Sequence, residues 1–236
     1  MVTYLPGATV LATPPTRFSS ADRREQILDV ATGLFAEQGF QGTTTRQIAE
    51  GSRVTEALIF RHFPSKEELY WSVIERKINC ASPLERLQET LEAGGGDLEV
   101  LSRVAFQVLE RRAKDQTLSR LLLFSALEKH ELSERFFRNY IANYFEVLAR
   151  FVRQGIAVGR FRRVDPMLAA RGFLGMVVYH SWIQELYGGK EVQDFDLHVV
   201  GRTLAEIWLQ GVQVGTKKQR RGKLLARQSV KKHRVR

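Results

Sequence analysis

Apolar residues recur along most of the chain at spacings of three and four, which is the period of one face of an α-helix. The first stripe consists of Ile27, Val30, Ala31, Leu34 and Phe35. Gly39 follows the last turn of this stripe, where a residue that tolerates positive φ ends a helix at little cost. No segment shows the strict alternation of a half-buried strand. The pattern therefore predicts an all-α protein.

Two short helices and a longer one are predicted after the first. Thr44 and Gln47 have the spacing of a capping box, in which each side chain bonds the backbone N–H of the other residue. A second short helix begins after Thr55 and ends before Pro64, and Ser65 and the Glu three positions later form another capping box. Two short helices joined by a tight turn are typical of a helix-turn-helix, although a generic three-helix bundle fits the same pattern.

Further helices are predicted from Pro83 onward. The three glycines at 94–96 separate two of them, and the later ones cover about 97–113, 116–129, 132–158, 165–187 and 195–213. The spacing of breaks and helices divides the chain into four segments. These are a flexible N-terminal arm at 1–18, a helix-turn-helix domain at 19–80, a helical domain at 81–215 and a basic tail at 216–236.

The net charge of +10 comes entirely from the C-terminal tail. Residues 216–236 contain ten basic residues and no acid, and the rest of the chain carries 26 basic and 26 acidic residues. A basic tail attracts phosphate whatever the nucleic-acid sequence, but many such tails are simply solvated. A non-sequence-specific DNA-binding protein that uses this tail is therefore an alternative interpretation of the chain.

Other sequence features exclude several classes of protein. The single cysteine, Cys80, cannot form an intramolecular disulfide. The N-terminus lacks a signal-peptide pattern, and the most apolar stretch, 172–184, is shorter than the roughly 18 residues of a membrane span. HExxH and GxSxG motifs are absent, and no phosphate-binding loop is complete. We expect a cytoplasmic protein that is not an enzyme and needs neither a metal nor a cofactor.

The segments 43–49 (TTTRQIA) and 54–69 (VTEALIFRHFPSKEEL) resemble the DNA-binding signature of the tetracycline-repressor (TetR) family. The resemblance covers roughly residues 20–70 without a gap. Two positions depart from the family pattern, because Arg53 replaces a turn glycine and Phe60 replaces a tyrosine. A non-glycine residue in the left-handed region costs roughly 1–2 kcal/mol, so we expect a reshaped turn in which Gly51 takes some of the strain. Phe60 keeps the packing but lacks the hydroxyl that can touch a phosphate.

Helix N-termini present unpaired amides to phosphate, which places Thr44, Thr55 and Lys66 near the DNA backbone. The resemblance adds further contacts. It implies backbone contacts from Arg46 and His62, a place at the DNA surface for Phe60, and base reading by Thr55, Glu56, Ala57 and Arg61. Glu56 has an equally good interpretation as a solvated acid that the dipole of its helix favours.

The resemblance implies that the helical domain binds an effector and forms a homodimer. Candidate effector contacts, suggesting an apolar or aromatic small molecule, are Phe106, Phe124, Tyr140, Tyr144, Met176 and His180, although aromatic stripes are more often core than pocket. Candidate dimer contacts are Phe173, Val177, Trp182, Val200, Leu204, Ile207 and Trp208. We predict a ligand-responsive transcriptional regulator, in the commonest form a repressor, that binds palindromic double-stranded DNA.

Overall fold

The computed structural model describes residues 19–80, 82–128 and 131–214. Within these ranges the chain is helical, with one isolated antiparallel bridge between Phe161 and Gln213. The helices are α1 (Ser20–Gly42), α2 (Thr45–Ser52), α3 (Glu56–His62), α4 (Lys66–Asn79), α5 (Pro83–Glu92), α6 (Asp97–Lys114), α7 (Thr117–Leu127), α8 (Glu131–Phe136), α9 (Ala142–Ala157), α10 (Pro166–Glu185), α11 (Gly189–Val192) and α12 (Leu197–Val212). The predicted arm at 1–18 and tail at 216–236 lie outside the described residues.

Helix α1 begins at a capping box that the sequence analysis did not predict. The Ser19 hydroxyl accepts from the Asp22 amide at 3.1 Å, and the Asp22 carboxylate accepts from the Ser19 amide at 3.1 Å. Regular helix geometry is interrupted at Gly39, where φ is 76° and ψ is −179°. Essentially only glycine adopts this conformation, so the break that the sequence predicted at Gly39 is confirmed.

The turn between α2 and α3 is formed by an arginine in the left-handed conformation. Arg53 has φ 53° and ψ 45° and is the C-terminal cap of α2, so its backbone N–H bonds the last carbonyls of that helix. Gly51 lies inside α2 and does not have positive φ. The expectation that Gly51 would take the strain is therefore wrong, because the cap itself must be left-handed and Arg53 occupies it.

The predicted caps of α2 and α4 differ in completeness. At α2 the box is reciprocal: Thr44 Oγ1 accepts from the Gln47 amide at 3.2 Å, and Gln47 Oε1 accepts from the Thr44 amide at 2.8 Å. At α4, Ser65 Oγ accepts from the Glu68 amide at 3.2 Å, but no return bond from Glu68 to Ser65 forms.

The helix predicted over 132–158 is continuous but not uniform. A π-helical segment, Phe137–Ile141, separates α8 from α9. The other predicted helices begin and end within about two residues of their expected positions, and the short helix α11 after Gly188 was not predicted. π-Helical turns are often found at functional sites, and this one faces the cavity described below.

Two groups of buried apolar side chains form the interior. The first, which we call the N-terminal core, joins α1–α4 to Leu121 of α7 and to Leu132 and Phe136 of α8. The second, the C-terminal core, joins α5, α6, α9, α10 and α12 around Val104, Leu148 and other residues. The N-terminal core thus extends past residue 80 and includes parts of the predicted effector domain.

Four residues that we predicted at the dimer face are buried inside the protomer. Phe173 and Val177 of α10 and Val200 and Trp208 of α12 belong to the C-terminal core and are at most 7% exposed. The Trp208 indole also donates to the Ala169 carbonyl at 2.9 Å. The large apolar side chains of α10 and α12 therefore hold these helices to their own protomer. This corrects the sequence prediction.

The outward faces of α10 and α12 are formed by residues other than these four buried ones. Of the predicted dimer residues, Ile207 is exposed, and Trp182 and Leu204 are partly buried. We call two rows of exposed positions the outward stripes: Leu168, Gly172, Gly175 and Tyr179 on α10, and Val199, Thr203 and Ile207 on α12. No helix among the described residues is long and apolar enough to cross a bilayer.

Candidate DNA-binding surface and ligand cavity

The N-termini of α2, α3 and α4 are capped by hydroxyl side chains. Thr44 and Thr55 are exposed, and Ser65 is partly buried. Thr55 Oγ1 accepts from the Leu58 amide at 3.2 Å, so the first turn of α3 is held by its own cap. Ile48 and Ile59 are buried beneath α2 and α3 and attach both helices to the N-terminal core. Rigid helix ends of this kind suit phosphate binding, because their free amides point outward.

The outer side of α3 carries the predicted base-reading residues. Thr55, Glu56, Ala57 and Arg61 are all exposed, and Phe60 is 46% exposed, which is high for so large an apolar side chain. An exposed phenylalanine on a seven-residue helix adds nothing to the core. The exposure is instead suited to contact with another molecule.

Two charged residues at this surface are engaged by neighbours in the protein. Glu56 Oε2 accepts from the Thr45 hydroxyl at 2.6 Å, which links α3 to the first turn of α2. Arg46 Nε donates to Glu50 Oε1 at 2.9 Å on the exposed face of α2. Neither interpretation of Glu56 from the sequence, as a base-reading residue or as a solvated acid, predicted this hydrogen bond from Thr45.

Lys66 and His62 are less accessible than the residues of the α3 outer face. The Lys66 ammonium lies 4.2 Å from the centre of the Phe40 ring, and burial lowers the pKa of Lys66. His62 is partly buried, with its ring 6.4 Å from that of Phe63. Both residues lie at the border of the exposed surface rather than at its centre.

An apolar cavity of about 150 Å³ lies where the two cores meet. Ile78 of α4 and Leu118 and Leu122 of α7 line one side, and these residues belong to the N-terminal core or pack on it. The other lining residues are Pro83, Val108, Arg111, Arg112, Phe136, Tyr140, Ile141, Tyr144, Phe145, Leu174 and Val178. A mostly apolar lining with a few polar groups is typical of small-molecule sites.

Two of the six predicted effector contacts line this cavity. Tyr140 is in the π-helical segment and Tyr144 is in the first turn of α9. Burial raises the pKa of Tyr144 to about 12. Both tyrosines belong to the aromatic residues at helical spacing from which the sequence analysis chose its candidates.

The other four predicted contacts lie elsewhere. The Phe106 ring stacks on the His198 ring with centroids 3.9 Å apart. Phe124 packs near Gly39, and Met176 packs against the C-terminal core. His180 lines a separate, polar pocket of about 260 Å³, where its Nε2 has no hydrogen-bond partner and burial lowers its pKa. That pocket is larger, but it is lined largely by charged and amide groups and lies away from α4.

Arg111 and Arg112 are the charged residues among the cavity lining that the sequence analysis did not predict. Burial lowers the pKa of Arg111, and burial together with the charge of Arg111 lowers the pKa of Arg112 to about 10. A signal for them existed, because Val104 and Val108 on the apolar face of α6 are followed at helical spacing by these two arginines. Among residues 19–80, 82–128 and 131–214, no three His, Cys, Asp or Glu side chains form a potential metal site.

Helix α4 connects the cavity to the exposed surface of α3. Its C-terminal turn contributes Ile78 to the cavity, and its N-terminus follows the end of α3 by three residues. The Tyr70 hydroxyl donates to the Leu121 carbonyl at 2.6 Å, and Lys77 pairs with Asp115 at 2.7 Å. Helix α4 therefore contacts both the cavity and the segment that contains α7.

Comparison with known families gives two matches. The family described as "Bacterial regulatory proteins, tetR family" matches residues 27–73, and the "AefR-like transcriptional repressor, C-terminal domain" matches residues 98–202. Among curated relatives, the transcriptional repressor KstR2 of Mycobacterium tuberculosis is 28% identical over 152 residues, which is 59% of this chain and 70% of that protein. The regulator AcrR of Shigella flexneri is 32% identical over 116 residues, 49% of this chain and 53% of AcrR.

Solved structures with the same fold include two bacterial regulators. A TetR-family transcriptional regulator from Mesorhizobium loti superimposes with a TM-score of 0.65 at 20% identity, over 84% of this chain and all of that one. FadR of Bacillus subtilis, solved with stearoyl-CoA, has a TM-score of 0.62 at 22% identity, over 79% of this chain and 98% of FadR. The two family matches and the helix-turn-helix geometry agree, and the chain belongs to the TetR family of bacterial transcriptional regulators.

Proposed function

We propose that this protein is a homodimeric repressor that binds a palindromic operator and is released by a small effector with an apolar or aromatic part. The observation that carries the proposal is the exposed outer face of α3, where Thr55, Ala57 and Arg61 stand beside two capped helix N-termini. A helix presented in this way can enter the major groove while the neighbouring helix ends bind phosphates.

The chemistry of the α3 face supports specific reading of bases. Arg61 can pair with guanine and Ala57 can contact a thymine methyl group. Glu56 can accept from cytosine if its bond to Thr45 is released or shared. Thr44 and Thr55 are suited to phosphate contacts, which position the protein without selecting the sequence.

The exposed stripes of α10 and α12 support a homodimer. No atom would lie within 4 Å of a Cβ added to Gly172 or Gly175, so the two glycines leave open space on the outward face of α10. Tyr179 and Ile207 are 62% and 54% exposed, which adds apolar area beside this space. A second copy is the occupant that we propose, because small residues let two helices approach closely and identical stripes are self-complementary in a two-fold dimer.

Effector binding would act through α4. A ligand shifts a conformational equilibrium only if it binds one state better than the other. A hundredfold loss of operator affinity requires about 2.7 kcal/mol of such difference, which is within the usual range of coupling energies. The contact of Ile78 with the cavity makes α4 the element whose position the ligand would select.

Fluorescence anisotropy with DNA from upstream of the protein's own gene tests the proposal. We expect binding that resists an excess of unrelated competitor DNA. The Arg61→Ala variant should lose the preference for operator, Thr44→Ala should weaken binding to all sequences alike, and Arg150→Ala, an exposed change on α9, should do neither. If random-sequence selection with the full chain also yields no preferred site, the proposal of a specific regulator is refuted.

A further inference from the structure

The apolar cavity lies next to a polar pocket of about 190 Å³. Four residues line both spaces and form their shared wall: Pro83, Val108, Arg111 and Tyr144. The remaining residues of the polar pocket are Arg86, Gln107, Glu110, Lys114 and Asp115. Arg111 therefore borders an apolar space and a polar space.

The acidic groups of the polar pocket are already paired, but its arginines are not. Glu110 bonds Lys114 at 2.8 Å and Asp115 bonds Lys77 at 2.7 Å. Neither Arg86 nor Arg111 forms an ion pair with any residue that the structure describes. Arg86 is exposed, whereas Arg111 is partly buried. A partly buried guanidinium such as that of Arg111 is unusual without a counter-ion, because charged groups inside proteins are almost always paired.

Arg112 adds a third positive charge on the cavity side. Its Nε donates to the Ser181 hydroxyl at 2.6 Å, which leaves its charge without an acid in the described parts of the chain. Burial is the main cause of the lowered pKa values of Arg111 and Arg112. The positive charge of Arg86 adds to the effect on Arg111, and that of Arg111 adds to the effect on Arg112. An anion bound beside these arginines would offset positive charge that the described residues leave unpaired.

We propose that the effector is an amphipathic organic anion whose apolar tail occupies the cavity and whose carboxylate or phosphate binds Arg111 at the shared wall. This proposal rests on the proposed function, in which the same cavity is the effector site. The planar guanidinium can donate two parallel hydrogen bonds to either head group, and Tyr144 offers a hydroxyl on the same wall. Leu118, Leu122 and Phe145 would surround the tail.

Isothermal titration of the full-length protein, without DNA, tests the proposal with three probes of one tail length: octanoate, octyl phosphate and 1-octanol. We expect at least one anion to bind tenfold or more tightly than the alcohol. The tighter of the two anions identifies the head group. Equal affinity for the anions and 1-octanol, or no binding of either anion, would overturn the proposal.

Variants assign the preference to Arg111. In Arg111→Gln the anion should lose most of its higher affinity relative to 1-octanol. Arg111→Lys should retain part of that difference, because lysine keeps the positive charge but cannot donate two parallel hydrogen bonds. Arg150→Gln makes the same charge change on the exposed face of α9 and should leave the preference intact. If a folded Arg111→Gln protein still binds the anion more tightly than 1-octanol, Arg111 is not the binding residue. If that variant does not fold, the three probes with the wild-type protein still test whether the cavity prefers an anion.

The outcome can be separated from that of the proposed function. If an anion binds through Arg111 but does not release operator in the anisotropy assay, the anion site stands and the effector role is refuted. If no specific operator exists, the titration still tests the anion site, because it contains no DNA.

Discussion

At the scale of single residues, the most unusual feature is Arg53 in the turn of the helix-turn-helix. Its backbone N–H bonds two of the last carbonyls of α2, and its exposed side chain forms no hydrogen bond or ion pair with any residue that the structure describes. The sequence showed that the position departs from the family pattern. It did not show that the arginine itself would adopt the left-handed conformation, since Gly51 was an apparent alternative two residues earlier.

We predict that Arg53→Gly stabilises the protein. Glycine removes the roughly 1–2 kcal/mol that a non-glycine residue loses in the left-handed conformation. Its greater freedom in the unfolded chain cancels about 0.4–1 kcal/mol of this gain. Urea unfolding should therefore show a gain of about 0.5–1 kcal/mol. Arg53→Ala is the matched control, because it removes the side chain and keeps the strain; if it stabilises the protein as much as glycine does, the strain argument fails.

At the scale of elements, the end of α1 is held against α7 at Gly39. A Cβ at this position would lie 2.5 Å from Glu128 Oε1 and 3.0 Å from Phe124 Cδ1. Glu128 Oε1 also accepts from the Gln41 amide at 3.2 Å, and the Arg120 guanidinium donates to the Ala36 carbonyl at 2.6 Å. The glycine is thus required both by its backbone conformation and by the close approach of α7.

Gly39→Ala is expected to destabilise the protein by more than about 2 kcal/mol, since it combines a glycine-only backbone with a steric clash. Gly33→Ala is the control on the same helix, because nothing lies within 4 Å of its added Cβ. That change should be neutral or stabilise by up to about 1 kcal/mol through helix propensity. Thermal unfolding measures both, and equal effects of the two changes would contradict this account of Gly39.

Helix α4 is also held at its C-terminal end by the Lys77–Asp115 pair. Burial opposes ionisation of Asp115, but hydrogen bonds from Lys77 and Thr117 dominate and lower its pKa to about 2. Because the folded-state pKa lies below the ordinary value near 3.8, the pair stabilises the protein above that value. The stabilisation is lost as the pH falls from about 4 through about 2.

Asp115→Asn should therefore lower the melting temperature at pH 7 and weaken its dependence on pH between 4 and 2. The Asp115 side chain is 45% exposed, so solvent screening keeps the expected effect to about 1 kcal/mol or less. Glu110→Gln, which breaks the exposed pair with Lys114, is the control. Scanning calorimetry across this pH range would contradict the prediction if wild type and Asp115→Asn lost stability in parallel.

At the scale of the whole molecule, the proposed dimer interface consists of the exposed stripes of α10 and α12. Ile207→Glu places a charge at the centre of the proposed interface, where burial without a partner costs roughly 2 kcal/mol or more. We expect dimer dissociation to rise by more than about tenfold, with a parallel loss of operator affinity. Light scattering after size-exclusion chromatography measures the mass of the assembly.

Val158→Glu is the control for the dimer prediction. Val158 is 70% exposed just after α9, away from both stripes, and its replacement should leave the assembly unchanged. A dimer of wild-type strength in Ile207→Glu would show that the interface lies on another surface.

The sequence by itself determined the features that depend on local contacts. The Thr44–Gln47 capping box, the break at Gly39 and the bounds of most helices follow from interactions within a few residues, so the spacing of residue types is sufficient to predict them. The exposed face of α3 was predictable for the same reason, with the resemblance to the TetR signature as a guide.

Only the tertiary structure decided which sides of α10 and α12 are exposed and which residues line the cavity. An apolar stripe such as that of Phe173 and Trp208 must be buried, but its period does not say whether the partner is the same chain or another copy. The lack of an acidic partner for Arg111 could not be predicted from the sequence either, because it depends on the positions of the other helices around the cavity. Burial and pairing are properties of the packed molecule, and they depend on residues far apart in the chain.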